Sequence, residues 1–314
     1  MIRRAWAIAA GCAAVALSAF LLGEYAPAGP LATAIAGVRP SYGPTAVAAV
    51  PNSTAIERLI WVPGLDEGYD PQGLAVAGGA VLVSAYRSDA FGTHRGPCRV
   101  FRIGPQSGGE TGHLDVPAPC GHAGGLAAMR DGTVYLADTH TLFGFPVGAI
   151  ADGSAPVFHR LALGPGLVGA LAASAPDAIW IGTYSEEGPG RFYRFAAATL
   201  AALPDGGMLT VSDASAQQSI PSYAQGAAID RDGGLWISRS DSRWGELVRI
   251  DPASSGAPRR FAAPPGIEGI AFDATGHLWA VSEAGARHFY DNVFARLVTP
   301  FFPLVFRLDP ARLE

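Results

Sequence analysis

The fold of this chain is indicated by one sixteen-residue stretch, Gln225-Gly-Ala-Ala-Ile-Asp-Arg-Asp-Gly-Gly-Leu-Trp-Ile-Ser-Arg-Ser240. A close counterpart follows at Glu268-Gly-Ile-Ala-Phe-Asp-Ala-Thr-Gly-His-Leu-Trp-Ala-Val-Ser-Glu283. Each copy has a strand of small apolar residues, a turn containing Gly, and a second strand with an aromatic residue. Gly-rich turns between alternating strands are typical of β-hairpins. The two copies therefore predict two antiparallel hairpins of the same kind.

Three earlier segments carry the same pattern, so that the five copies start at residues 72, 124, 169, 225 and 268. The intervals of 52, 45, 56 and 43 residues match the length of a propeller blade of four antiparallel strands. We call the first strand of each unit strand a and the second strand b. The sequence predicts an all-β, five-bladed β-propeller over residues 55–314, with a six-bladed ring as the alternative.

A strand c follows in every unit, and a strand d follows in the first four. Strand c is expected to begin at Arg99, Leu142, Arg191, Glu246 and Leu304. The fifth unit leaves no room for strand d before Glu314, and the early strand Ile56–Val62 can supply it. Such a closure removes the open edges of the ring. Residues 201–221 and 287–303 are interpreted as long loops.

Aromatic residues recur at one position of strand b, at Trp180, Trp236 and Trp279. Repeated aromatic side chains at one position of a blade suit the packing of sheet against sheet. We therefore assign these three residues to the core between blades.

The N-terminus has the features of an export signal. Arg3 and Arg4 precede an apolar run over residues 5–23, and Ala26-Pro-Ala28 offers a cleavage site. Residues 1–28 are therefore predicted to be a signal peptide or, if uncleaved, a membrane anchor. Residues 29–54 are rich in Ala, Pro, Gly, Ser and Thr and are predicted to be a flexible linker. The protein is expected in the periplasm or outside the cell.

Composition and charge narrow the range of partners. The chain has a net charge of −5 and contains no lysine. A weakly acidic chain without a basic patch argues against a nucleic acid partner. A membrane contact is expected only through an uncleaved N-terminal segment.

Two cysteines follow the predicted signal, Cys98 and Cys120. Cys98 opens one strand of a hairpin, and the turn centre near Gly109 is the midpoint between the two cysteines. An oxidising compartment would let them pair. We predict a Cys98–Cys120 disulfide across this hairpin, the alternative being two unrelated buried thiols.

Polar residues collect where strand a begins and strand b ends, and we call this end of the channel the polar mouth. The candidate ligand-binding residues there are Gln72, His122, Gln225, Glu268, Asp138, Tyr184 and Arg239. A polar channel end is the default location for a ligand site. The alternative for Gln72, Gln225 and Glu268 is a structural role, in which they bond free backbone groups. His122 departs from the repeat, so a water, a metal or a proton-transfer role is considered for it.

Several of these segments resemble a known group of proteins. Asp70-Pro-Gln-Gly-Leu-Ala-Val, Gly121-His-Ala-Gly-Gly-Leu and Tyr223-Ala-Gln-Gly resemble bacterial extracellular β-propeller proteins, a group mostly without assigned function. The resemblance spans about residues 56–310. More distantly, the blades are similar to the regucalcin and gluconolactonase superfamily and to streptogramin lyases.

The lactonase resemblance implies a central divalent ion held by Glu, Asn and Asp side chains, and Glu268 occupies the position of the Glu. The two Asn residues, Asn52 and Asn292, neither begin nor end a channel strand, so the usual Asn ligands are missing. A divalent cation such as Ca²⁺ remains compatible with carboxylate and carbonyl ligands alone. Two functions follow as hypotheses. The first is binding of a small molecule or an envelope protein at the polar mouth, and the second is a metal-dependent hydrolase or lyase with Glu268 and His122.

Overall fold

The computed structural model describes residues 28–88, 96–152, 156, 158–241, 243–252, 256–290, 296–297 and 299–314. The predicted signal segment, up to residue 27, lies outside the described residues. Within these ranges, no helix has the length and apolar character needed to cross a membrane.

The described residues form 24 strands and three short helices. The N-terminal strands are β1 (Ala28–Gly29), β2 (Ile35–Ala36), β3 (Val50–Pro51) and β4 (Ile56–Trp61). Next come β5 (Tyr69–Ala77), β6 (Ala80–Arg87), β7 (Cys98–Ile103), β8 (Glu110–Val116), β9 (Gly125–Ala128), β10 (Thr133–Asp138), β11 (Thr141–Pro146), β12 (His159–Leu163), β13 (Leu171–Ala175), β14 (Ala178–Gly182), β15 (Gly190–Ala196), β16 (Met208–Leu209) and β17 (Ala216–Ile220). The last are β18 (Ala224–Ile229), β19 (Leu235–Asp241), β20 (Trp244–Ile250), β21 (Arg259–Ala262), β22 (Ile267–Phe272), β23 (Leu278–Ser282) and β24 (Leu304–Leu308). The helices are α1 (Gly148–Asp152), α2 (Ala197–Ala202) and α3 (Arg287–Tyr290).

The described strands make six sheets, of which five are the blades and the sixth is the two-stranded pair β1-β3. The blades run β5-β6-β7-β8, β9-β10-β11-β12-β16, β13-β14-β15-β17, β18-β19-β20-β21 and β22-β23-β24-β4-β2. The strands β5, β9, β13, β18 and β22 are each the inner edge of a blade and contact one another in a ring. The predicted five-bladed propeller is confirmed, and strands a, b and c lie at the expected positions.

A hydrophobic cluster fills each of the five spaces between neighbouring blades. For example, Trp236 packs between blades four and five beside Leu278, and Trp279 packs between blades five and one beside Val83. Trp180 packs against the cluster between blades three and four. The prediction that these tryptophans belong to the inter-blade core is confirmed. They reach the space between blades because successive residues of a strand point to opposite faces of its sheet.

The ring closes through the early strand, as predicted. Strand β4 pairs antiparallel with β24, with Ile60 opposite Val305 and Leu59 opposite Phe306. All four of these side chains are fully buried. The fifth blade is therefore completed by a strand from the opposite end of the sequence.

Residues 28–54, whose composition suggested a flexible linker, instead pack along the propeller. Strand β2 pairs in parallel with β4, and β1 pairs with β3. Leu31, Ile35, Tyr42 and Val47 contact the core cluster between blades four and five. The sequence did not predict this packing. A few apolar side chains spaced along a Pro- and Gly-rich segment show no strand periodicity.

The two predicted long loops also contain regular structure. Within residues 201–221, β17 is the outer strand of blade three, and β16 pairs in parallel with β12 of blade two. Residues 287–303 contain α3. The insertion in blade three therefore joins blades two and three. The prediction that it is a plain loop was wrong.

The disulfide forms between Cys98 and Cys120, whose Cα atoms lie 5.8 Å apart. The predicted pairing is confirmed, but its placement differs. Cys98 in β7 lies opposite Val116 of β8, and Cys120 follows in the loop that leads to blade two. The bond therefore ties blade one to the segment that carries His122, and it indicates an oxidising environment.

Two tryptophans of the core are fixed by aspartates of the adjacent turns. Trp236 Nε1 donates to Asp230 Oδ2 at 2.9 Å, and Trp279 Nε1 donates to Asp273 Oδ2 at 3.1 Å. The other oxygen of Asp230 accepts from the Gly234 amide at 2.7 Å. Burial would raise the pKa of Asp230, but the hydrogen bonds from Trp236 and Arg249 outweigh it and hold that pKa below its ordinary value. The pKa of Asp273 is lowered in the same way, its burial being outweighed by hydrogen bonds from its own turn and Trp279.

We expect the double substitution Asp230→Asn and Asp273→Asn to lower stability at pH 7 by about 2 kcal/mol per site. A carboxylate with a lowered native pKa stabilises the fold fully above its unfolded pKa of about 3.9. That contribution disappears as the pH falls through the native value. The difference in melting temperature between variant and wild type should therefore shrink below about pH 4. The exposed Asp232→Asn in the same turn is the control, and a difference independent of pH would contradict the assignment.

Candidate functional site

The polar mouth contains acidic and amide side chains that are almost completely buried. Glu268 in β22 is 2% exposed, Gln72 in β5 is 4% exposed, and Glu283 after β23 is 7% exposed. Asp70, also in β5, is fully buried. Buried carboxylates are costly unless donors or cations face them, so this end of the channel is a specialised polar environment.

Hydrogen bonds connect these groups across three blades. Gln72 Nε2 donates to Glu283 Oε2 at 2.9 Å, which joins blades one and five. Ser240 Oγ lies 3.5 Å from Glu268 Oε1, and this contact joins blades four and five. Within blade four, Gln225 Nε2 donates to the Ser240 carbonyl at 3.4 Å. Gln72 thus pairs with Glu283, and Gln225 and Glu268 share Ser240 as a partner.

Glycines occupy the equivalent position in blades two and three. A Cβ on Gly124 would lie 2.4 Å from the Ala170 carbonyl oxygen, and a Cβ on Gly169 would lie 2.3 Å from the Asp138 carbonyl oxygen. Neighbouring backbones approach too closely there for any side chain. The polar groups of the mouth are therefore concentrated on blades one, four and five.

Asp138 holds the segment that carries His122. Its Oδ1 accepts from the backbone amides of Gly121, His122 and Ala123 at 3.2, 2.6 and 2.8 Å. The His122 ring lies 5.8 Å from the ring of Tyr86, at the end of β6. Asp138 thus has a structural contact that its position after strand b did not reveal, and it orients the loop around His122.

An aromatic group borders the mouth on blades three and four, and we call it the aromatic rim. Tyr184 lies 6.2 Å from Tyr223, and Tyr223 lies 5.7 Å from Trp244, in edge-to-face arrangements. The Arg239 guanidinium is 5.6 Å from the centre of Trp244, and it also contacts Glu246. Sequence reasoning identified Tyr184 and Arg239 but missed Trp244, because tryptophans were read only at their repeated core position.

Electrostatics link the aromatic rim to the buried acids. Burial raises the pKa of Tyr184, and the nearby Glu186 carboxylate raises it further, with smaller contributions from Tyr223 and Glu268. The Tyr184 hydroxyl donates to Glu186 Oε1 at 3.2 Å. Tyr184 therefore stays protonated at neutral pH, and its hydrogen bond to Glu186 holds the hydroxyl at the aromatic rim.

Tyr223 has a left-handed backbone, with φ of 58°, where the fifth blade has Gly266 with φ of 62°. This conformation is unfavourable for a bulky residue and persists only when the surroundings enforce it. The Tyr223 amide donates to the Ser185 carbonyl at 2.8 Å, and its ring contacts Tyr184 and Trp244. Strain of this kind concentrates at functional sites.

The described residues contain one cluster of potential metal-ligand atoms, and it lies away from Glu268 in the sequence. Within the described ranges, one group of three potential ligand atoms lies close enough for a metal, formed by Cys98, Cys120 and Asp138. Its two thiols form the disulfide. No such group of described acidic or imidazole side chains includes Glu268.

Comparisons with known proteins report on the fold. No family model matches the chain, and no curated protein matches its sequence. A glutaminyl cyclase of Myxococcus xanthus superimposes with a TM-score of 0.52 at 12% identity, covering 81% of this chain and 94% of that one. The shared property is the propeller fold.

Further neighbours are a calcium-binding regucalcin of Agrobacterium tumefaciens and a putative gluconolactonase. Regucalcin aligns with a TM-score of 0.43 at 15% identity, over 88% of this chain and 95% of that one. The gluconolactonase aligns with a TM-score of 0.41 at 15% identity, over 84% and 87%.

Proposed function

We propose that this chain is an exported binding protein whose polar mouth holds a small ligand rich in hydrogen-bond donors. The observation that carries the proposal is the burial of Glu283 beside the Gln72 amide and of Glu268 beside the Ser240 hydroxyl. Carboxylates kept in a buried setting favour partners that bring hydroxyl or ammonium groups. Such a ligand would lie against the aromatic rim, whose flat faces suit the apolar side of a sugar or amine.

Export is supported by two independent features. The disulfide suits an oxidising compartment, and the N-terminal sequence has the charge and apolar run of a signal. A ligand of the periplasm or the medium is therefore the first to test.

We expect Glu268→Gln to abolish ligand binding while leaving the fold intact. The neutral amide keeps the shape of the side chain but removes the charge that attracts donors. Purified wild type is mixed with the dialysable small-molecule fraction of spent medium, and its melting temperature is followed by Trp fluorescence. A ligand at about 100 times its Kd stabilises by about 2.7 kcal/mol, which raises the melting temperature by several degrees. This increase should be absent in Glu268→Gln.

The matched control is Glu110→Gln, because Glu110 is exposed on β8 and lies outside the mouth. Equal stabilisation of all three proteins would place the ligand elsewhere. An increase produced only by a protein fraction would favour an envelope protein as the partner. Stoichiometric Ca²⁺ or Zn²⁺ in the wild type, lost in Glu268→Gln, would favour the metal-dependent hydrolase or lyase instead.

A further inference from the structure

A large cavity lies at the opposite end of the channel, where the turns between strands a and b meet, and we call it the turn-end cavity. It has a volume of about 1020 Å³ and is lined by the turns of blades two to five. Its wall includes the aromatic residues Trp236 and Phe272 and the four arginines Arg130, Arg231, Arg249 and Arg259. This site is independent of the polar mouth and does not depend on the function proposed for it.

The turn-end cavity continues inward as an apolar neck. The neck has a volume of about 120 Å³ and is lined by the inner strands of all five blades, including Leu74, Leu126 and Ile270. Ala128, Ser174, Ile229 and Phe272 line both spaces, so the two are continuous. At about 30 Å³ for each water-sized group, the neck accommodates roughly four carbon atoms in a row.

Four aspartates line the cavity together with the four arginines, but most of these carboxylates already accept hydrogen bonds from their own turns. Asp230 is engaged by Trp236 and Arg249, and Asp273 accepts from Thr275 and Trp279. Asp309 accepts from the backbone amide of the residue two positions later, at 3.0 Å. These carboxylates are therefore occupied by their own turns, and Asp232 is the remaining acid.

Three of the arginines keep guanidinium groups available. Arg130, Arg231 and Arg259 are exposed and form no ion pair with any described residue. Arg231 donates to the Thr275 carbonyl at 2.9 Å, and Arg259 lies 4.9 Å over the ring of Phe261. Guanidinium groups at the rim of an apolar neck are suited to a carboxylate, which they bind through paired donors.

We infer that the turn-end cavity binds a small amphipathic carboxylate, with the chain in the neck and the carboxylate at Arg130, Arg231 and Arg259. Both parts of the site are needed, because the neck offers apolar contact and the rim offers the opposite charge. Affinity should therefore depend on chain length, rising up to about fourfold for each methylene that becomes fully buried.

Octanoate is the probe, titrated calorimetrically into the full chain together with hexanoate, butyrate and octanol. We expect octanoate to bind more tightly than hexanoate and butyrate, and octanol to bind at least tenfold more weakly than octanoate. Arg130→Gln combined with Arg259→Gln should weaken octanoate binding at least tenfold. Ala128→Leu should remove the dependence on chain length, since the larger side chain would enter the neck.

The matched control is Arg160→Gln with Arg191→Gln, two exposed arginines that do not line the cavity. It should bind octanoate as the wild type does. The inference is overturned if the wild type binds no octanoate at millimolar concentration, if octanol binds equally well, or if both double variants bind alike. Circular dichroism of each variant verifies that the fold is retained.

Discussion

Replacing Gly125 with alanine is expected to lower the free energy of unfolding by about 3 kcal/mol or more. A Cβ at this position would lie 2.2 Å from the Ala172 backbone nitrogen and 2.5 Å from the Leu171 carbonyl carbon. Both atoms belong to β13, the inner strand of the next blade, which is held in place by its own sheet. Overpacking a rigid interior costs 1–3 kcal/mol or more, and a clash with backbone lies at the upper end. Urea denaturation followed by Trp fluorescence measures the loss.

Gly188→Ala is the matched control, because nothing lies within 4 Å of a Cβ placed there. It should change stability by less than about 0.5 kcal/mol. If Gly125→Ala were equally mild, the inner strands would have to be further apart than the structure places them.

Removing the disulfide by Cys98→Ser with Cys120→Ser is expected to lower stability by about 3 kcal/mol. The cross-link spans 22 residues, and the chain-entropy relation gives about 3 kcal/mol for a loop of that size. For a protein of this length, the loss corresponds to a decrease in melting temperature of roughly 5 °C. Calorimetry of the variant and wild type measures it.

Reduction of the wild type provides an internal comparison. Cys98 is fully buried and Cys120 is 6% exposed, so reduction requires unfolding in the presence of a thiol. After refolding under reducing conditions, the wild type should melt where the double variant melts. A reduced protein as stable as the oxidised one would show that the bond carries none of the fold's stability.

The propeller could be predicted because its information is repeated. Each blade carries the same alternation of apolar residues and the same turns, so a weak signal is read five times. The closing strand Ile56–Trp61 was identifiable because the fifth blade lacked a fourth strand. The segment over residues 28–54 was not, because it contributes a few contacts to one blade and has no second copy.

The candidate site was predictable in position more than in detail. Equivalent positions in the repeat placed Gln72, Gln225 and Glu268 at one end of the channel. The contact of Asp138 with three backbone amides depends on a left-handed turn at Ala123, which no local pattern encodes. The aromatic rim depends on Trp244, which reaches Tyr223 only after strand c folds back. Contacts between non-equivalent positions of the blades therefore could not be predicted from the repeat.

Pairing of β4 with β24 makes the order of folding asymmetric. Ile60 and Val305 are paired across an intervening stretch of nearly the whole propeller, and closing a flexible loop of that length costs about 5 kcal/mol in chain entropy. The seam between these strands is therefore expected to form after the hairpins within each blade, which close much shorter loops and would first give an open arc of blades. An arc exposes the edge of β24 and the free strand β4 at the same time. Two such molecules could exchange their closing strands and form a swapped dimer, so the speed of ring closure would decide between a closed ring and an exchanged pair.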